Sequence, residues 1–155
     1  MKKFILILLV VATGFSGCKK DSTDTFDTEA QAATDDAAIQ AYIAANHLTM
    51  TKDVSGFYYK IVTPGTGKYP TAASSVTVSY VGKLLNGAQF DANDNFATAL
   101  TAVVRGWTLG LQHINEGGTI YLIIPSAMGY ANVANGAIPA NSVLTFTITL
   151  KSVDK

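Results

Sequence analysis

The chain has 155 residues, 48% of them hydrophobic, and eleven basic side chains balance eleven acidic ones for a formal net charge of zero. That length holds one domain and an appendage. The even charge leaves no basic face for a phosphate backbone, which argues against nucleic acid as a partner.

Lys2 and Lys3 precede an apolar run from Phe4 to Ala12. A permanent transmembrane helix needs about 20 apolar residues, so this run reads instead as the core of a secretion signal over residues 1–17. Ser16 and Gly17 stand directly before Cys18, the only cysteine in the chain, so no intramolecular disulfide accounts for it. The arrangement resembles the lipobox of bacterial lipoproteins, with Phe15 where that pattern prefers Leu. It implies cleavage after Gly17, lipidation of Cys18, and a chain anchored through lipid to the outer membrane of the cell envelope, facing the periplasm or the surface. Residues 18–27 are polar apart from Phe26 and too poor in apolar side chains to order themselves, which makes them a flexible tether.

An N-terminal helical segment is expected over residues 28–50, with the helix from about Thr28 to Ala45. Thr28 and Gln31 have the spacing of a capping box, and Ile39, Tyr42 and Ile43 form a narrow apolar stripe at helical spacing. The stripe packs either on its own domain or on a second copy of the chain in a weak homodimer.

After Asn46 the apolar period changes to two, which opens a second domain over residues 51–155. Gly56 to Val62 reads as a strand ended by the turn residues Thr63-Pro64-Gly65-Thr66-Gly67, which neither open a helix nor place a Lys-Ser pair and so form no phosphate cradle. Val76, Val78 and Tyr80 alternate with Thr77 and Ser79, and Thr119 to Pro125 gives a further apolar strand. In the last strand Leu144, Phe146, Ile148 and Leu150 face one way and Thr145, Thr147, Thr149 and Lys151 the other, the pattern of a sheet with one wet face. Val103, Trp107, Leu111 and Ile114 predict one short helix over residues 103–114. Strands clustered around one helix specify an α+β domain, a curved antiparallel β-sheet wrapped over that helix.

Conventional catalytic constellations are missing. His47 and His113 are far apart in sequence and lack neighbouring cysteine or carboxylate clusters, which argues against a metal and makes both surface residues. No serine lies in a Gly-x-Ser-x-Gly elbow, and nothing near Asp91 or Glu116 suggests a paired acid and base. Aromatic and branched residues instead gather in strand ends and loops.

Five blocks recur there in one order: Val78-Ser79-Tyr80, Gly87-Ala88-Gln89-Phe90-Asp91, Val103-Val104-Arg105-Gly106-Trp107, Ile124-Pro125 with Gly129-Tyr130, and Ile138-Pro139 ahead of Leu144-Thr145-Phe146. This succession resembles the FKBP-type peptidyl-prolyl cis-trans isomerases from about Ser55 to Lys155. The resemblance implies an FKBP-like fold, no cofactor, proline-containing polypeptides as substrates, and assistance to the folding of exported proteins. It makes Trp107 the floor of a substrate pocket and Tyr80, Phe90, Phe96, Val104 and Phe146 its walls, beside Val103. It assigns a substrate-facing backbone amide to Val104, a donating hydroxyl to Tyr130, the rim to Ile138 and a polar edge to Asp91. Tyr80, Asp91, Trp107, Tyr130 and Phe146 are thereby the catalytic candidates, and Phe90, Phe96, Val103, Val104 and Ile138 the binding ones. This sequence departs from the family in having Ala131 where a glycine commonly follows the tyrosine, and Ala140 where a second proline follows Ile138-Pro139. A non-catalytic proline-peptide-binding module or chaperone holdase would keep the same walls.

Overall fold

The computed structural model describes residues 28–154. The signal segment, Cys18 and the tether lie outside the described residues. An 18-residue helix, α1 (Thr28–Ala45), is followed by β1 (Thr51–Lys52), β2 (Tyr58–Thr63), β3 (Ser75–Leu84) and β4 (Gln89–Ala99), then by a short helix α2 (Arg105–Gly110), β5 (Thr119–Ile124) and β6 (Leu144–Asp154). The strands form one antiparallel sheet in the order β1-β2-β5-β6-β3-β4. This is the α+β architecture that the alternating strands around one short helix specify.

One face of the sheet carries the main core. Leu144, Phe146, Ile148 and Leu150 of β6 lie beside Val76 and Val78 of β3 and Ile120, Leu122 and Ile124 of β5, and Trp107, Leu111 and Ile114 close over them. Each large apolar side chain buried this way contributes about 1.5 to 3 kcal/mol. Helix α2 comes close to β5 because Gly106 has no side chain: a Cβ there would lie 2.5 Å from Cδ1 of Ile124.

The spacing of Val103, Trp107, Leu111 and Ile114 overstates that helix. Its α-helical part is Arg105–Gly110, and the chain then tightens into a 3-10 turn at Leu111–His113. Val104 before it is extended, with φ −59° and ψ 145°. A 3-10 turn also places residues i and i+3 on one side, so Leu111 and Ile114 keep an apolar spacing that period alone reads as α-helix. Strand β2 likewise starts at Tyr58 rather than Gly56, because Gly56 takes φ +100° in a turn closed by its N–H donating to the Asp53 carbonyl.

The opposite face is drier than the alternation in β6 predicts. Helix α1 lies across it, with Ile39 packed against Tyr58, Ile123 and Val143 and the Tyr42 hydroxyl 3.3 Å from that of Tyr121. Burial there pushes the Tyr121 hydroxyl well above the ordinary tyrosine range. Thr145, expected in water, is buried and donates to the Lys83 carbonyl, whereas Thr147 is exposed. The Ile39 stripe therefore packs on its own sheet. The Gln31 side-chain amide donates to Asp35 Oδ1 at 2.7 Å, one turn along the helix. His47 is exposed, but His113 is not a free surface residue, since its ring stacks on Tyr59 at 4.2 Å and its Nε2 lies 3.4 Å from Asp53 Oδ2.

Candidate active site

The sheet face that holds α2 opens, near β3, β4 and β6, into a cavity of about 470 Å³. Its deepest side chain is Trp107, 4% exposed, carried on the first turn of α2 and held by the packing of Gly106 on Ile124. The indole N–H is buried and meets no acceptor among the described residues.

The walls are rings set edge to face. Tyr80 on β3 meets Trp107 at 4.8 Å and 78°, and Phe146 on β6 meets Trp107 at 5.2 Å and 88°. Phe96 packs on Tyr80 at 5.8 Å, and Phe90 on Phe146 at 5.5 Å. T-shaped pairs at these separations place positive ring edges on negative faces and contribute about 0.5 to 1.5 kcal/mol each beyond burial, so the walls brace one another. Val103 and Val104 add aliphatic surface from the approach to α2.

Three polar groups stand on this shell of rings: the Tyr80 hydroxyl, the Asp91 carboxylate and the Tyr130 hydroxyl. The Tyr80 hydroxyl donates to Oδ2 of Asp91 at 2.6 Å, and burial first, then that bond, pushes Tyr80 up to about 12. Tyr130, 37% exposed, lines the mouth. A second cavity of about 190 Å³ adjoins the first, sharing Phe90, Asp91 and Tyr130, and the loop from Asn135 to Ile138 completes it.

Nine of the ten pocket residues read from the sequence thus line one cavity. Ile138 does not: it is 5% exposed, and it lines the adjoining cavity rather than the rim of the larger one. The sequence assigns no site role to Gly82, Ala102 or Gly129, although Gly129 stands in one of the five blocks. Ala102 and Gly129 line the cavity, and Gly82 makes room for two walls, since a Cβ there would lie 2.7 Å from the Phe90 ring and 2.8 Å from that of Phe146. A glycine inside an otherwise β-branched strand was the available signal for such a close approach.

A family model for FKBP-type peptidyl-prolyl cis-trans isomerases matches residues 67–151. The FKBP-type peptidyl-prolyl cis-trans isomerase FkpA of Escherichia coli strain K12 is 36% identical over 103 residues, 64% of this chain and 38% of that protein. A probable FkpA of Neisseria meningitidis serogroup B is 40% identical over 104 residues, again 64% of this chain and 38% of that protein. The chain thus spans less than half the length of these curated relatives. Among solved structures, FkpA from Escherichia coli superposes with a TM-score of 0.72 at 32% identity, covering 81% of this chain and 62% of that one. A peptidyl-prolyl cis-trans isomerase of Pseudomonas syringae pv. tomato gives 0.70 at 31% identity, covering 83% of this chain and 96% of that one. With its five sequence blocks arranged around one aromatic cavity and the family model spanning more than half of its length, the chain belongs to the FKBP-type peptidyl-prolyl cis-trans isomerase family.

Proposed function

We propose that this chain catalyses cis-trans isomerisation of X-Pro bonds in exported polypeptides, and that the ring-walled cavity over Trp107 is where it does so. The observation that carries the reading is the cavity itself: about 470 Å³ walled by the rings of Tyr80, Phe90, Phe96, Trp107 and Phe146, with Asp91 and Tyr130 also lining it. Rotation about a peptide bond is opposed by a barrier of about 18 to 20 kcal/mol from amide resonance, and X-Pro bonds isomerise unaided over tens to hundreds of seconds. Resonance puts negative charge on the carbonyl oxygen, so removal from water disfavours the planar amide relative to the twisted one. Lowering the barrier by about 5 kcal/mol would speed the reaction by between three and four orders of magnitude. In this mechanism the Val104 N–H and the Tyr130 hydroxyl hold carbonyls of the twisted peptide, and the Tyr80–Asp91 pair keeps one wall in place. No proton is transferred and no cofactor takes part.

The lipobox-like segment supports a place for this activity in the cell envelope, with Cys18 lipid-anchored and residues 18–27 as a tether that lets the domain from residue 51 onward reach its clients. Replacing Cys18 by Ser should leave an exported chain that no longer partitions into detergent.

The test of the activity is catalysed isomerisation of a short X-Pro peptide by the purified protein, with competition by a macrolide such as rapamycin. Tyr130→Phe keeps the ring and deletes one donor, so efficiency should fall by roughly a factor of two to ten. Trp107→Ala should remove most binding, since truncating a packed aromatic costs about 3 to 5 kcal/mol, part of it fold stability. If both variants stay folded and keep parental efficiency, the cavity is not the site.

A further inference from the structure

Asp35 is 3% exposed, yet it lies on α1, on the far side of the sheet from the aromatic cavity. Burying a carboxylate is expensive unless donors surround it, and three do. Gln31 donates to Oδ1 at 2.7 Å, while the backbone N–H and the hydroxyl of Ser126 donate to Oδ2 at 2.7 and 2.6 Å. Charge-assisted bonds of this length are the strong kind. Ser126 is itself fully buried and opens the 3-10 turn Ser126–Met128 that follows β5.

The bonding continues from Ser126 toward the site. Its carbonyl accepts from the N–H of Gly129 at 2.9 Å and of Ala131 at 2.8 Å, the two residues that flank Tyr130. Ala131 is held at φ +51°, and its own carbonyl accepts from Asn141 N–H at 2.8 Å. The backbone on both sides of Tyr130 thus hangs from one carbonyl, and the residue bearing that carbonyl is gripped by a carboxylate from the appended helix.

We propose that Asp35 is a positioning residue for Tyr130: by holding Ser126 from the opposite face of the sheet, α1 sets where the Tyr130 hydroxyl stands at the mouth of the cavity. The proposal rests on the isomerase reading above for its kinetic consequence. A helix that merely covered apolar surface would need Ile39 and Tyr42 but no buried carboxylate. Asp35 is placed one helical turn from Ile39, where it meets Ser126 at the start of a segment that leads to the site.

The test uses the full chain with Asp35→Asn and Ser126→Ala, each alone and combined with Tyr130→Phe. Asp35→Asn keeps the shape and removes the charge, and Ser126→Ala removes one donor and leaves the backbone N–H in place. Each should lower catalytic efficiency by about two- to tenfold in the parent, the range expected for one mispositioned hydrogen bond. In the Tyr130→Phe background the same substitutions should change it by less than about twofold, because the group they position is gone. Hydrogen exchange at the amides of Gly129 and Ala131 should quicken in both variants while the amides of β6 keep their protection. Equal losses in both backgrounds would mean that Asp35 acts through overall stability, and unchanged efficiency in folded Asp35→Asn and Ser126→Ala would equally overturn the proposal. Should Asp35→Asn not fold, Ser126→Ala alone decides. A parental chain with no isomerase activity would sink the isomerase reading, and the exchange rates of Gly129 and Ala131 would then still uphold or refute the grip of Asp35 on this loop.

Discussion

The hydroxyl of Tyr80 donates to Oδ2 of Asp91 across 2.6 Å, joining two strands at the edge of the cavity. Tyr80 pairs with Asn93 in the register of β3 and β4, so Asp91 is its diagonal neighbour on the same face, a separation that only a long side chain spans. The bond leaves the ring aligned against Trp107 and Phe96.

Because burial and this bond raise Tyr80 from its ordinary value of 10 to about 12, the folded state favours the protonated hydroxyl. The associated stability is present in full below about pH 10 and is lost as the pH rises through about 12. Catalytic efficiency is therefore expected to be nearly flat from about pH 5.5 to 8.5, since no histidine is among the described residues that line the cavity. A bend near pH 6.5 in the rate profile would reveal a titrating histidine and defeat this expectation.

The close approaches at Gly106 and Gly82 should respond differently to an added methyl. At Gly106 the new Cβ meets three atoms of the branched Ile124 side chain at 2.5 to 2.8 Å, so Gly106→Ala should destabilise the fold by about 1 to 3 kcal/mol, measured by urea unfolding. At Gly82 it meets ring atoms of Phe90 and Phe146 at 2.7 to 2.8 Å, so the rings that must shift are two walls of the cavity. Gly82→Ala should lose less stability than Gly106→Ala but raise KM, because the atoms that give way are cavity walls. The reverse order of stability losses would count against this account.

Ala131 has φ +51°, the left-handed region that disfavours residues with a Cβ by roughly 1 to 2 kcal/mol. Ala131→Gly should relieve that cost, less the extra freedom that glycine brings to the unfolded chain. A net gain of up to about 1 kcal/mol is expected, read from the urea midpoint. A clear loss of stability would show that the Ala131 methyl makes contacts that outweigh the strain.

A fragment of residues 51–155 should still unfold in one cooperative step, because the core around Trp107, Leu122 and Ile148 is complete without α1. It should do so at a lower temperature than the full chain, since Ile123, Tyr58 and Val143 lose the cover of Ile39. Thermal unfolding followed by near-ultraviolet circular dichroism checks both statements. Loss of a cooperative transition would make α1 part of the domain itself.

Much of the fold follows from local pattern. The alternation of Leu144, Phe146, Ile148 and Leu150 marks β6 and its core face, and the spacing of Ile39, Tyr42 and Ile43 marks α1, because burial on one side writes a period into the residues of each element. The resemblance carried by ordered blocks such as Arg105-Gly106-Trp107 named nine of the eleven residues that line the larger cavity. Strand β4 left no such trace: Asp91 to Asn95 lie exposed on an edge strand, where neither face demands apolar side chains. Nor could any local pattern show that Thr145 is dry, that Ile138 lines a second cavity, or that Asp35 reaches Ser126 across 91 residues of chain. Such facts depend on which surfaces meet when α1 folds back over the sheet. A periodic sequence records that a face is buried, and only the tertiary structure decides against what.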